Sequence, residues 1–333
     1  MSEATHEALR ELLCRLGTAC RDAVLAGRRG VDAASLARVE GQAAGDTIYA
    51  VDRIGEEAIL EWFRAHWPKC FPVQIVMEGH VRETCFPEGI SAAETDWKCI
   101  IDPIDGTRGI MYDKRSAWAL AGIAPQSGDE TMLSHIVAAA MTEIPTTRQW
   151  RADQFSTTRG GVVIGTSEDV RAGGFATLEA MPSKAVDFAH GFSSLVKFFP
   201  EGRTLTAQIE ERLWDELIGL NSSESPVVFD DQYICTGGQF YELLIGHDRM
   251  VGDLRPLIFR TLDMETSLVC HPYDCCAALV LQHSGVVFEH PLGGFPDAPL
   301  DTESGVAWMA YANQTLASQA RPVLTRILEQ FLV

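Results

Sequence analysis

The segment Asp102-Pro103-Ile104-Asp105-Gly106-Thr107-Arg108 combines residue types that metal-assisted phosphoryl chemistry needs. Pro103 restricts the backbone to extended geometry, so we expect a strand to end here and not a helix. Gly106 permits a tight turn, after which Thr107 and Arg108 can begin a helix. The two carboxylates that converge on this bend can bind hard divalent cations, and the amide groups after it can bind a phosphate.

Three further acidic residues lie at the ends of predicted elements. Asp52 begins a predicted helix, Glu78 follows a short predicted strand, and Asp274 begins a late helix. An aspartate at a helix start is commonly just an N-cap, and this alternative stays open for Asp52 and Asp274. Similarly, Glu78 alone is more often a surface carboxylate, and Asp102 with Asp105 can form a solvated Asx turn. Taken together, the five acids predict one metal site held by rigid elements.

The elements that must position these residues follow from the spacing of apolar residues. The first half is predicted as two helices and a sheet with mainly hairpin connections, and the second half as alternating helices and strands. We place a boundary near 155–180, between an N-terminal α+β subdomain (1–165) with most of the acids and a C-terminal α/β subdomain (166–333) with Asp274. Predicted helices cover 3–28, 53–66, 204–219, 236–246 and 274–283, and predicted strands cover 73–77, 98–101, 117–123, 136–141, 160–164, 186–188, 227–229, 249–251 and 286–288.

The composition is that of a globular protein with an acidic surface. Apolar residues make up 46% of the 333 residues and charged residues 22%, and the formal net charge of −19 argues against a general nucleic-acid-binding surface. No apolar run reaches the ~20 residues that a membrane-spanning helix needs, and the N-terminus lacks the features of a signal peptide. The nine cysteines form no CxxC pair, which favours reduced, buried thiols in a cytoplasmic protein over disulfides or a zinc site.

Four segments resemble, in order, those of the inositol monophosphatase superfamily, whose members are Mg²⁺-dependent and often lithium-sensitive phosphatases. Asp102–Thr107 matches the family's D-P-[IL]-D-G-T without a mismatch, and Val76–Gly79 lies where the family has G-E-E. Asp46–Asp52 resembles D-x-V-T-x-x-D, and Tyr273–Ala278 with the later Ser284-Gly285 resembles W-D-x-A-A-G followed by E-A-G-G. The resemblance implies a layered α-β-α-β-α sandwich of the inositol monophosphatase and fructose-1,6-bisphosphatase type, and a homodimer.

The resemblance also implies metal ligands. Glu78, Asp102 and Asp105, with the carbonyl of Ile104, would bind one Mg²⁺, and Asp102, Asp105 and Asp274 would bind a second. Two or three Mg²⁺ ions are implied per site, with Mn²⁺ as a substitute and Li⁺ or Ca²⁺ as inhibitors. Clustered carboxylates that share cations lower the pKa of a bound water and neutralise phosphoryl oxygens, so this set suits a phosphatase.

Catalytic and substrate contacts are implied for a second group of residues. Thr107 and Asp52 would orient the attacking water and help to deprotonate it. The N–H groups of Gly106, Thr107 and Arg108, at a helix start, would bind the phosphate. Thr236 and Gly237 belong to a small-residue segment that resembles the family's G-[TS]-A-A, which lies beside the substrate hydroxyls. Tight helix packing explains these small residues equally well.

The chain departs from the family pattern at several positions. Gly79 replaces the second acid of the usual Glu-Glu pair, which leaves a third metal site and lithium sensitivity open. Arg108 differs from the residue that inositol phosphatases often carry, so the substrate is not fixed. The segment between Gly246 and Asp274 is longer than in a typical inositol monophosphatase, and its charged residues include Arg249, Asp253, Arg255, Arg260, Asp263 and Glu265.

The predicted function is that of a Mg²⁺-dependent phosphomonoesterase acting on a small polyol, sugar or amino-alcohol phosphate. Direct attack by water is expected, because the chain has no GxSxG or Cys-x5-Arg motif for a covalent intermediate. Alternatives in the same family are phosphatases of histidinol phosphate, fructose 1,6-bisphosphate or a 3′-phosphonucleotide. A different class is a non-catalytic relative that binds a phosphorylated metabolite, but such a protein needs no water-activating pair like Thr107 and Asp52.

Overall fold

The computed structural model of the chain describes residues 2–43, 46–220, 225–264 and 268–332, so Glu265 lies outside the described residues. The helices of the described residues are α1 (Glu3–Gly27), α2 (Ala33–Leu36), α3 (Ala50–His66), α4 (Thr107–Met111), α5 (Arg203–Ile218), α6 (Thr236–Leu244), α7 (Arg255–Thr261), α8 (Pro272–Cys275), α9 (Ala278–Ser284) and α10 (Gln314–Phe331). The strands are β1 (Val39–Ala43), β2 (Asp46–Tyr49), β3 (Val73–Met77), β4 (His80–Phe86), β5 (Trp97–Asp105), β6 (Ala117–Pro125), β7 (Ala138–Ile144), β8 (Arg151–Thr158), β9 (Ile164–Asp169), β10 (Phe175–Leu178), β11 (Gly191–Leu195), β12 (Val228–Phe229), β13 (Asp248–Asp253), β14 (Val287–Glu289) and β15 (Trp308–Tyr311).

Most of the acidic residues are positioned by an eight-stranded sheet in the order β10-β9-β8-β7-β6-β5-β3-β4. Neighbouring strands are antiparallel except for β3 and β5, which run parallel. Because parallel strands end at the same edge of a sheet, the residues that follow β3 and those that end β5 lie side by side. The expected hairpin connections are confirmed from β5 to β10.

The elements stack in five layers. Helices α1 and α3 cover one face of the eight-stranded sheet, and α6, α8 and α9 cover the other. The second sheet, in the order β12-β11-β13-β15-β14, packs on α6 and α9, and α5 and α10 cover its outer face. All nine residues of β5 are buried, as expected for a strand covered on both faces. The expected layered α-β-α-β-α sandwich is confirmed, and no helix in the described part of the chain is long and apolar enough to cross a membrane.

Two predicted strands are wrong, and one predicted helix is interrupted. Residues 160–164 form the turn between β8 and β9 up to the first residue of β9, because Gly160 takes a left-handed φ of 79°. Residues 186–188 form a bend. The preceding backbone carbonyls of Ser183 and Ala185 accept hydrogen bonds from the side chain of Asn313, the N-cap of α10, and not from a neighbouring strand. The helix predicted over 274–283 divides into α8 and α9. The sequence patterns also missed β1, β2, β4, β8, β9, β10, β11, β15, α2, α7 and α10.

Candidate active site

A β-bulge at the end of β5 brings Asp102 and Asp105 together. Asp102 pairs with Leu120 of β6 and Asp105 with Trp118, so three residue steps on β5 face two steps on β6. In a regular strand, residues three apart point to opposite faces of the sheet. The extra residue of a bulge changes that alternation and re-aims side chains. Carboxylates at both positions therefore project into one space, as the spacing around Pro103 predicts.

Glu78 and Asp274 reach the same space from two other elements. Glu78 directly follows β3, and its N–H donates to the Ile101 carbonyl of the parallel strand β5 over 3.2 Å. Asp274 lies in the first turn of α8, where its carboxylate accepts a hydrogen bond from the His271 N–H over 2.6 Å. Carboxylate oxygens of Asp102, Asp105 and Asp274 all lie within 4.8 Å of one another. The structure thus brings together the acids that the sequence predicts as metal ligands.

Burial and mutual repulsion make this cluster unfavourable as bare carboxylates. The pKa of Asp102 is raised well above its usual range by burial and by the negative charges of Glu78, Asp105 and Asp274. Burial raises the pKa of Asp105 to about 7, opposed by amide groups that bond to its carboxylate. The pKa of Asp274 is raised by burial and by Asp105. A bound cation would offset these costs, because it favours the ionised form of every carboxylate around it.

Asp52 and Thr107 form the expected hydrogen-bonded pair beside the cluster. The Thr107 hydroxyl lies 2.7 Å from Asp52 Oδ1 and 2.9 Å from the Ile104 carbonyl oxygen, and it can donate its single proton to either. The other oxygen of the Asp52 carboxylate accepts the Tyr49 N–H over 2.7 Å. Asp52 is therefore fixed between the start of α3 and the start of α4, and helix α3 begins two residues before it, at Ala50.

The turn after the bulge depends on Gly106. This residue has a φ of 104°, in the left-handed region that favours glycine, and it caps the short helix α4. Amide groups at a helix start lack intrahelical acceptors and attract anions, so this turn can bind a phosphate as the motif predicts. Thr236 lines the same cavity. Gly237 has a different position, because its N–H donates to Asp105 Oδ2 over 2.5 Å and so holds a predicted ligand.

A carboxylate from helix α3 occupies the space next to Gly79. A Cβ at position 79 would lie 2.6 Å from Glu56 Oε1, so no side chain there could coexist with Glu56 in its present position. Glu56 is 6% exposed and forms an ion pair of 2.6 Å with Arg53. Burial raises the pKa of Glu56. A carboxylate therefore lies beside position 79 from a different element, four residues after Asp52 on the same helix face.

The cavity wall contains residues that sequence reasoning missed. The cavity above the acidic cluster is open to solvent and is bordered by Glu78, Asp102, Asp105 and Asp274. Phe198, Phe199 and Arg255 line it beside Arg108. Arg255 lies in the longer segment before Asp274, and that unusual length was the available signal. Nothing in the local sequence marks Phe198 and Phe199.

The residues present fit a hard divalent cation. Asp102, Asp105 and Asp274 offer only carboxylate oxygens, which Mg²⁺, Mn²⁺ and Ca²⁺ prefer. Cys235 and Cys270 are fully buried beside the site, and burial raises the pKa of each thiol well above its usual range. The clustered donors are all carboxylates, without a cysteine or histidine among them, and such a set favours a hard, oxygen-bound cation.

Solved structures with the same arrangement of elements show what the chain is similar to. Neither the family models nor the curated proteins compared with the sequence match it. A sedoheptulose-1,7 bisphosphatase described as putative, from Toxoplasma gondii, superposes with a TM-score of 0.67 at 11% identity, over 98% of this chain and 96% of its own. The chain has the inositol monophosphatase and fructose-1,6-bisphosphatase fold.

Two other structures with this fold agree over nearly the whole chain. Leishmania major fructose-1,6-bisphosphatase superposes with a TM-score of 0.65 at 14% identity, over 97% of this chain and 93% of its own. The extragenic suppressor protein SuhB of Bartonella henselae superposes with a TM-score of 0.63 at 16% identity, over 97% of this chain and 99% of its own. At this level of identity the inositol monophosphatase and fructose-1,6-bisphosphatase fold is shared, and function must be argued from the site.

Proposed function

We propose that this chain is a Mg²⁺-dependent phosphomonoesterase that hydrolyses a small polyol, sugar or amino-alcohol phosphate by direct attack of water. The observation that carries the proposal is the cluster of Asp102, Asp105 and Asp274, with carboxylate oxygens within 4.8 Å of one another in the wall of a cavity open to solvent. The Thr107–Asp52 pair adjoins the cluster. Similar folds in phosphatases add support. A homodimer and a cytoplasmic location remain predictions.

Glu78, Asp102, the Ile104 carbonyl, Asp105 and Asp274 would hold the metal. When bound, Mg²⁺ lowers the pKa of a water molecule and neutralises charge on the phosphoryl oxygens. The protein's own part in the reaction is to fix the positions of the reactants. The phosphate would bind to the amide groups of Gly106–Arg108, and the small side chain of Thr236 would leave room for the alcohol part of the ester.

The Thr107 hydroxyl would orient the attacking water. While it donates its proton to Asp52 Oδ1, its free lone pair can accept a hydrogen bond from the water. Proton transfer from the water to Thr107 Oγ1, with the Thr107 proton moving to Asp52, would then leave a hydroxide in line with the phosphorus atom. The Tyr49 N–H holds the second oxygen of Asp52, so that the first stays directed at the Thr107 hydroxyl.

The test is phosphate release by the purified protein. We expect release from inositol phosphates, sugar phosphates or histidinol phosphate with Mg²⁺ and none after removal of metal with EDTA. Asp105→Asn should reduce kcat/KM by about 10³-fold, since loss of a shared ligand removes several kcal/mol of transition-state stabilisation. The matched control is Asp129→Asn, which removes an exposed carboxylate that neither lines the cavity nor belongs to the acidic cluster.

The same experiment separates an enzyme from a phosphometabolite-binding protein. A binding protein would release no phosphate from any ester of the panel but would still bind inorganic phosphate in the presence of Mg²⁺. Asp105→Asn would then weaken this binding with no turnover to lose. That pattern would reject the proposed function.

A further inference from the structure

Two arginines and three aromatic rings form a continuous row, of which all members except Tyr49 line the cavity. The guanidinium carbon of Arg108 lies 5.8 Å from the ring centroid of Tyr49 and 5.7 Å from that of Phe199. The guanidinium carbon of Arg255 lies 5.7 Å from Phe199 and 5.4 Å from Phe198. Phe199 therefore contacts both cations. We call Tyr49, Arg108, Phe199, Arg255 and Phe198 the arginine–aromatic row.

Arg255 is held rigidly within this row. It is 9% exposed. Its Nε and Nη2 donate to the Asp253 carboxylate over 2.5–3.0 Å, and its Nη1 donates to the Leu268 carbonyl over 2.9 Å. A planar guanidinium with these contacts and two flanking rings loses little further conformational entropy when it binds a ligand.

The contacts of Arg255 do not use all of its donors. A guanidinium carries five N–H groups, and the hydrogen bonds to Asp253 and Leu268 use three of them. One N–H on Nη1 and one on Nη2 have no hydrogen-bond acceptor among the residues that the structure describes. Arg255 lines the same cavity as Asp105 and Asp274. The side chain that carries these two donors therefore forms part of the wall of that cavity.

A positively charged arginine side chain in the wall of a proposed metal site needs an explanation. A guanidinium repels the cations that the acidic cluster would hold, so it does not serve metal binding. If Arg255 served only to neutralise Asp253, it would not need two unused donors or a place beside the substrate cavity. A planar pair of N–H donors matches the geometry of a carboxylate or phosphate. The longer segment before Asp274 delivers this group to the cavity.

We propose that Arg255 binds a second anionic group on the alcohol part of the substrate. The inference rests on the proposed phosphatase function and narrows its substrate class. The preferred esters carry a second phosphate or a carboxylate in addition to the phosphate that is hydrolysed. Arg108, which shares the ring of Phe199 with Arg255, adds positive charge to the same wall.

Matched pairs of substrates test the proposal with the full-length, Mg²⁺-loaded protein. One pair is fructose 1-phosphate and fructose 1,6-bisphosphate, and the other is glycerol 2-phosphate and 2-phosphoglycerate, in which a carboxylate replaces a hydroxymethyl group. We expect kcat/KM to be about 10- to 100-fold higher for the anionic member of at least one pair, because hydrogen bonds to a charged group are strong. The pair that shows the preference identifies the second group as phosphate or carboxylate.

Variants at the ion pair show whether Arg255 is the cause. Asp253→Asn combined with Arg255→Met removes both buried charges together, and Arg255→Lys keeps the charge but not the planar fork. Both variants should lose most of the preference through an increased KM for the anionic member, while Arg260→Met, on the exposed side of α7, should keep it. Thermal unfolding shows which variants fold. If a variant does not fold, the kcat/KM ratios of the wild type for the two substrate pairs decide whether the preference for anionic esters exists.

The outcomes distinguish this inference from the proposed function. If no ester of either pair or of the wider panel releases phosphate with Mg²⁺, the phosphatase function fails and the inference fails with it. If esters are hydrolysed without preference for the anionic members, only the inference fails. The inference is also overturned if the folded double variant retains the preference for the anionic member. It is overturned as well if the variant lowers kcat/KM by the same factor for both members of a pair, since Arg255 would then act on the reacting phosphate.

Discussion

At the scale of single residues, Asp52 and Asp274 show that a capping role and a site role can coincide. Each lies in the first turn of its helix and accepts the N–H of the residue three positions earlier, Tyr49 or His271. The N-caps themselves are Tyr49 and His271, so the alternative that each aspartate is an N-cap is wrong, although each contributes to a capping box from the third helical position. Asp52 also bonds Thr107 through its other oxygen, and Asp274 belongs to the acidic cluster. Capping fixes the side chain, and this fixation is what a catalytic or metal-binding carboxylate needs.

The first prediction at this scale concerns the Thr107 hydroxyl. Thr107→Val keeps the shape of the side chain but removes the link between the water and Asp52. We expect kcat to fall by about 10²–10⁴-fold, the usual contribution of a positioned acid–base group, and Thr107→Ser to retain most of the rate. Single-turnover phosphate release measures the effect. If Thr107→Val instead abolished the Mg²⁺-dependent rise in melting temperature, Thr107 would serve metal binding and not water activation.

At the scale of elements, the site was predictable where local sequence determines it. The motif around Pro103 predicts the strand end, the bend and the helix start, because proline and glycine restrict or release φ within the motif itself. By contrast, Arg255 reaches the cavity through the path of a long segment, and Glu56 lies beside Gly79 because of how α3 packs. These placements depend on contacts between elements far apart in the sequence, which residue spacing does not encode.

The packing of α8 against the large sheet gives the next prediction. A Cβ at Gly122, on β6, would lie 2.7 Å from the carbonyl oxygen of Cys276. Gly122→Ala should therefore displace the backbone two residues after Asp274 and move this ligand away from the cluster. We expect roughly 1–3 kcal/mol of destabilisation from overpacking and an increase of about tenfold in the Mg²⁺ concentration for half-maximal activity.

The control for this substitution is Gly41→Ala, because a Cβ at Gly41 would meet no atom within 4 Å. Thermal unfolding and Mg²⁺ titration of activity should leave Gly41→Ala close to the wild type. An unchanged Mg²⁺ requirement in Gly122→Ala, despite its lower stability, would show that Asp274 does not depend on this contact.

At the scale of the whole molecule, the two sheets and the layer between them meet at the acidic cluster. The eight-stranded sheet supplies Asp102 and Asp105, and the helical layer between the sheets supplies Asp274. In a chain of net charge −19, the repulsion within this cluster opposes the joining of the layers. A bound cation would convert the repulsion into a cross-link, so folding and metal binding should be coupled.

This coupling predicts a particular pH dependence of stability. The folded-state pKa of Asp105 is raised to about 7, so folding favours its protonated form. The contribution of Asp105 to the free energy of unfolding of the metal-free protein should therefore fall as pH rises from about 4 to about 7, by on the order of 2–4 kcal/mol. At pH 8, Mg²⁺ at 100 times its dissociation constant should restore about 2.7 kcal/mol.

Asp105→Asn should weaken both the loss of stability at high pH and the stabilisation by Mg²⁺. The metal-free variant should melt at a higher temperature than the wild type at pH 8, because the unfavourable charge is absent, and Mg²⁺ should raise its melting temperature less. Asp129→Asn should follow the wild type, since its carboxylate is exposed. Urea unfolding from pH 4 to pH 8, with EDTA or with Mg²⁺, measures all three proteins. If the stability of the metal-free wild type changed with pH between 4 and 7 in the same way as that of Asp105→Asn, the cluster would not carry the strain inferred for it, because the difference between the two slopes reports the protons bound by Asp105.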